Sequence, residues 1–198
     1  PAGVMAPEAP RFLDDPRVTA FIVPYTEDET ELKRRYDHVR AQGWMGKAYS
    51  YVVDEPVNEE QYARLKQVAE RIHGLAPDMK LVAPYYRDPS FEGRGDVYDL
   101  LSGVVDIWCP NTGFFNAEKI AAKREAGQEI WWYVCCGPGA PYANFFVDMP
   151  GICHRVLFWQ QYVMQVQGLL YWSTTYWNPN ITSDPWEDIA TVKDISPV

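Results

Sequence analysis

Short runs of β-branched and aromatic residues alternate along this chain with longer segments whose apolar positions recur at helical spacing. Val18–Val23 is the first run of the strand kind. Thr26-Glu-Asp-Glu-Thr30 then offers a cap and early acids, where a helix dipole favours them. It predicts a helix to about Gln42, stopped at Gly43. Lys47–Val53 reads as a second strand. Asn58 with Gln61 three residues on is a capping-box pattern. It opens a helix through Leu65, Val68 and Ile72 that ends near Gly74.

The alternation continues with a strand at Lys80–Ala83, a short helix or turn at Val97–Leu101 and a strand at Val104–Trp108. Asn116 caps a helix ending at Gly127, and Glu129–Val134 is the next strand. A loop rich in Gly, Pro and aromatics spans Cys135–Pro150. A helix over about Ile152–Val166 and a strand at Leu169–Trp172 follow. A short helix-like piece near Trp186–Val192 closes the tail.

Strand–helix repeats of this kind predict a parallel sheet with crossover helices, an α/β fold. No Gly-rich phosphate loop follows any strand, which removes the usual support for a doubly wound nucleotide-binding sheet. Polar and aromatic residues cluster instead just after several strands, as in a (β/α)8 TIM-type barrel. Such barrels need eight strands and ~250 residues. The 198 residues supply about six units. The expectation is one partial barrel domain over residues 1–198, with the first strands missing and residues 1–16 forming a linker-like lead.

Composition narrows the function. Hydrophobic residues make up 47% of the chain, ample for a buried core. A formal net charge of -9 argues against nucleic acid or an anionic membrane as partner. No apolar run is long enough to span a bilayer. The 8 Trp and 13 Tyr fit either a core of large rings or aromatic platforms for sugar faces. Cys109, Cys135, Cys136 and Cys153 show no zinc-type spacing. Cys135 and Cys136 are poorly placed to bridge each other. A bond from either to Cys153 and free buried thiols both remain open. His38, His73 and His154 fall on predicted helices without ligand spacing, so neither metal nor cofactor is expected.

The chemical signal is Tyr49-Ser-Tyr-Val-Val-Asp-Glu-Pro56, a hydrophobic strand ending in two adjacent carboxylates. In the plain reading, Asp54 caps a turn and Glu55 is solvated. In the catalytic one, both reach one pocket at a relaxed strand end, and their repulsion helps one keep its proton as a general acid requires. Trp131 and Trp132 cannot both face inward, because strand neighbours alternate.

The runs Tyr51-Val-Val-Asp-Glu-Pro56, Asp106-Ile-Trp-Cys-Pro110 and Trp131-Trp-Tyr133 follow one another in the chain. Arg155 with Trp159-Gln160, then Gly168-Leu-Leu-Tyr-Trp172 and Trp177, complete the series. In order and spacing this resembles the catalytic domain of glycoside hydrolase family 123 and its uncharacterised bacterial relatives. The resemblance runs from about Val18 to Trp177. It implies a barrel enzyme removing terminal β-linked N-acetylgalactosamine by a retaining, substrate-assisted mechanism, one of the exceptions to the two-carboxylate scheme. Glu55 would be general acid then base, and Asp54 would orient the acetamido N–H. Tyr133 is the candidate for holding the acetamido carbonyl. Trp108, Asn111, Trp159, Trp172 and Trp177 are further candidates for the sugar pocket. Arg155 is expected in a structural ion pair. The resemblance also favours a secreted or periplasmic location.

Two alternatives accompany it. One is a glycosidase on plain sugars, with Glu55 and a nucleophile drawn from Asp88, Asp106 or Asp148, about 5 Å away. The other is a non-catalytic carbohydrate-binding barrel.

Overall fold

The computed structural model describes residues 3–86 and 96–173. Among these residues six strands occur in chain order: β1 (Phe21–Ile22), β2 (Ala48–Tyr51), β3 (Lys80–Tyr85), β4 (Ile107–Pro110), β5 (Glu129–Val134) and β6 (Gly168–Tyr171). They form one sheet in the order β1-β2-β3-β4-β5-β6, and every neighbouring pair is parallel. The helices are α1 (Ala9–Leu13), α2 (Glu29–Ala41), α3 (Glu59–Leu75), α4 (Val97–Leu100), α5 (Ala117–Glu125) and α6 (Cys153–Val163).

Local chemistry sets the helix ends. The Asp28 side chain caps α2 by accepting from Glu31 N–H, at 3.1 Å. The cap thus falls inside the Thr26–Thr30 run, and Thr26 Oγ1 accepts from Asp28 N–H. Asn58 caps α3 through Gln61 N–H, and Gln61 Oε1 accepts from Val57 N–H. Asn116 caps α5. Leu32, Tyr36 and Val39 on α2, and Leu65, Val68 and Ile72 on α3, are buried at helical spacing. The N-terminal lead carries α1, and its Val4 and Ala9 are buried in the main core.

Two apolar clusters occupy the two faces of the sheet. The larger joins the helices to outward residues such as Ala83, Trp108, Ile130 and Trp132. The smaller is made by Val82, Ile107, Cys109, Trp131 and Tyr133, with Tyr49, Tyr51 and Leu170 against it. Trp131 and Trp132 therefore face opposite ways, as alternation requires.

The sheet is curled. On a flat sheet, β2 and β5 would be about 14 Å apart, three strand spacings. Yet the rings of Tyr49 on β2 and Trp131 on β5 have centroids 5.1 Å apart. Contact across the concave face at that distance requires the curvature of a barrel wall. The chain is thus an α/β half-barrel, with the smaller cluster as its interior.

Gly168 makes this closure possible at the β5–β6 pair. A Cβ there would lie 2.6 Å from ring atoms of Trp131. Of the strands, β1 is the shortest against expectation, two residues where the sequence suggests Val18–Val23, and β4 begins at Ile107 where the sequence suggests Val104. Leu101–Val105 forms a hydrogen-bonded turn containing Gly103 at φ +72. The Asp106 carboxylate then accepts from Leu81 N–H at 2.7 Å and contacts His73 Nε2 at 2.9 Å, fixing the entry to the strand.

Candidate active site

β2 determines where the acidic pair emerges. Alternation sends Tyr49 and Tyr51 to the interior and Ser50 to the helix side, where its hydroxyl meets Tyr36 of α2 at 3.2 Å. The strand ends at Tyr51, Val53 is buried, and Glu55 adopts φ +44. A non-glycine residue in this left-handed region costs of order 1–3 kcal/mol and persists only where its surroundings impose it. The turn frees Asp54 and Glu55 from strand alternation, so both carboxylates border the same cavity.

That cavity has a volume of about 250 Å³ and lies at the C-terminal ends of the strands. Tyr51, Asp54, Glu55, Pro84, Tyr133 and Leu170 border it, with Cys135, Cys136 and Trp172 completing the rim. Each carboxylate has a phenol partner. The Tyr51 hydroxyl donates to Asp54 Oδ1 at 2.5 Å. The Tyr133 hydroxyl, from β5, donates to Glu55 Oε1.

The two acids are nevertheless unlike. Asp54 is exposed and Glu55 half-buried. Burial raises the pKa of Glu55 above the usual carboxylate range, and the Asp54 charge adds to the effect. The Tyr133 hydrogen bond opposes it without cancelling it. Both tyrosines have pKa values pushed well above normal by burial and by the carboxylates they face, so they remain hydroxyl donors. The pair can therefore combine a carboxyl that keeps its proton longer with a solvated neighbour.

Asp54, Glu55, Tyr133 and Trp172 meet at this cavity. Trp108 does not. It is fully buried on the helix side, stacked on Tyr98 at 5.4 Å, with its indole N–H on Gln128 Oε1. Its strand neighbours Ile107 and Cys109 take the interior, and alternation leaves Trp108 outside. Asn111 is buried but committed to the backbone, donating to Gly137 O and accepting from Gly113 N–H. Trp159 lies on α6, 59% exposed, away from the cavity lining. Trp177 lies outside the described residues.

The expected ion pair of Arg155 is not formed among the described residues; the side chain is exposed on α6. Asp106 is at the N-terminal end of β4, the opposite end of the sheet from Glu55, so the two cannot serve one sugar. Asp148 is exposed in the loop before α6 and does not line the cavity. Asp88 lies outside the described residues. His38 packs on Trp44, His73 on Asp106 and His154 on Phe145. No group of three or more potential metal ligands occurs among the described residues. No helix among them is long and apolar enough to cross a membrane.

Sequence reasoning missed Tyr51, Pro84, Leu170 and the Cys135–Cys136 pair as cavity residues. The inward phase shared by Tyr49 and Tyr51 was the available signal for the first.

Fold and cavity define a class: an α/β half-barrel with its pocket at the C-terminal strand ends. Comparison with family models gives the family. The chain belongs to the glycoside hydrolase 123 catalytic domain, whose model matches residues 25–197. It is thus a glycoside hydrolase domain, as the motif order implied. No curated protein matches the chain. Among solved structures, a Silicibacter pomeroyi protein assigned as a glycerophosphoryl diester phosphodiesterase is similar at 12% identity and a TM-score of 0.47. The match covers 77% of this chain and 46% of that one. A Thermobacillus composti GH10 xylanase matches at 16% identity and a TM-score of 0.40, over 74% of this chain and 57% of its own. The chain spans about half the length of these structures.

Proposed function

We propose that this domain hydrolyses terminal β-linked 2-acetamido sugars of the N-acetylgalactosamine kind, with retention and with the substrate's own acetamido oxygen as nucleophile. The observation that carries the reading is the unequal carboxylate pair. Adjacent residues border one small cavity, each bonded to a tyrosine hydroxyl, and burial holds Glu55 above its usual pKa.

The steps follow from that inequality. Protonated Glu55 donates to the glycosidic oxygen as the bond to the anomeric carbon breaks. The acetamido oxygen attacks the same carbon from the opposite face and gives a cyclic oxazolinium. Asp54 accepts the acetamido N–H and stabilises the positive charge; a carboxylate has acceptor sites to spare beside Tyr51. Glu55, now ionised, takes a proton from water as it opens the ring with net retention. In this reading the Tyr133 hydroxyl exchanges its bond to Glu55 for one to the acetamido carbonyl. Trp172 and Leu170 offer an apolar wall for a sugar face.

Substrates with progressively fluorinated acetamido groups test the reading. A neighbouring oxygen made less nucleophilic should slow cleavage stepwise. A rate indifferent to fluorination would remove the acetamido group from the mechanism.

A further inference from the structure

We propose that Cys135 and Cys136 form a thiol-modification site in the cavity wall. On exchange with a small-molecule disulfide they close into a disulfide between neighbouring residues, which alters sugar binding. The effect on sugars rests on the glycosidase reading above; the modification does not.

Three observations carry the inference. First, neighbouring residues on a strand point to opposite faces, yet these two sulfurs are 3.9 Å apart. β5 ends at Val134, and the bend after it turns both side chains to the same cavity. Second, the backbone holding them is fixed. Cys135 N–H donates to Gly137 O at 2.9 Å. The fully buried Asn144 donates from Nδ2 to the carbonyls of Cys135 and Pro138, at 3.1 and 3.0 Å. Third, access is unequal. Cys136 is exposed, whereas Cys135 is half-buried and its thiol pKa is raised mainly by burial. Reagents therefore meet Cys136 first. The other thiols are poor competitors. Cys109 is completely buried, and Cys153 is on α6 and absent from the cavity lining.

The chemistry balances. The Cys136 thiolate attacks one sulfur of the incoming disulfide, forming a mixed disulfide and expelling one thiolate, which takes up a proton. Cys135 loses its proton to solvent and attacks the Cys136 sulfur, releasing the second thiol. Two cysteine thiols are oxidised while one external disulfide is reduced to two thiols. Adjacent Cα atoms are about 3.8 Å apart, short of the usual 4.4–6.8 Å span of a disulfide. The bridge is therefore strained and easily reduced, which makes the modification reversible.

The test treats the complete chain with oxidised glutathione and follows intact mass, peptide mapping and activity on an aryl 2-acetamido β-glycoside. The chain should lose about 2 Da within the peptide carrying Cys135 and Cys136, and Cys153→Ser should do the same. Cys135→Ser should instead retain a glutathione on Cys136. Untreated wild type should also hold one equivalent of phenylarsine oxide, a reagent that needs two neighbouring thiols. The rate should fall by about tenfold on oxidation and recover with dithiothreitol. No loss of mass, or a loss abolished by Cys153→Ser, would overturn the site. A bridge that forms without changing the rate would overturn its effect on the pocket. A chain that bridges but cleaves no sugar would overturn the glycosidase reading and leave the thiol site standing.

Discussion

The Tyr133 hydroxyl donates to the Glu55 carboxylate across the interior of the curled sheet, joining β5 to the turn that follows β2. The bond brings together residues 78 positions apart in the chain. It stabilises the ionised form of Glu55 against the larger, opposing effect of burial.

Tyr133→Phe removes that donor, and the pKa of Glu55 should rise further. The limb of the pH–activity profile that reports Glu55 should move to higher pH, with kcat/KM lower by roughly 10–100-fold, the scale of a lost hydrogen bond to a charged group. Profiles of the two proteins on one substrate check this. An unmoved limb would separate Tyr133 from the titration of Glu55.

Glu55→Gln should stabilise the fold. A carboxyl whose folded pKa is raised costs stability as pH rises from its unfolded to its folded value, and the cost is complete above that window. The glutamine carries no charge to desolvate, so its Tm near neutral pH should exceed that of wild type. At pH low enough to protonate Glu55 in both states, the difference should vanish. Thermal melts across pH measure both.

Gly168→Ala should cost about 1–3 kcal/mol of stability, because the added Cβ meets Trp131 at 2.6 Å inside the closed sheet. Alanine at Gly46, where nothing lies within 4 Å, is the control. Denaturant unfolding compares the two.

His73 shows a linkage of the same sign from a different cause, a favourable partner rather than burial. Its hydrogen bond to Asp106 raises its pKa above 6.5. The stabilisation is fully present below the unfolded value and is lost as pH rises through the folded one. With the imidazole 29% exposed, it should amount to less than about 1 kcal/mol. The stability difference between wild type and His73→Gln should therefore shrink from about pH 5 to pH 9.

Much of the fold was legible because burial imposes period. Glu129–Val134 matches β5 residue for residue, and the opposed faces of Trp131 and Trp132 follow from alternation alone. Alternation also explains what was not legible. Trp108 lies two residues after Asp106 and two before Pro110, but its phase on β4 sends it beneath the helices. Tyr51 was hidden because its partner Asp54 becomes a neighbour only once the chain leaves the strand after Tyr51. Cys135 and Cys136 converge for a related reason, since the chain leaves the strand between Val134 and the bend. Departures from regular geometry shape this cavity, and a periodic reading does not register them.

The most direct test of the account is hydrolysis of paired aryl β-glycosides, identical except for the 2-acetamido group, by the complete protein and by Glu55→Gln. The account predicts cleavage of the acetamido member alone, lost by about 100-fold or more in the variant. Equal cleavage of the plain sugar, or an undiminished rate in Glu55→Gln, would contradict it.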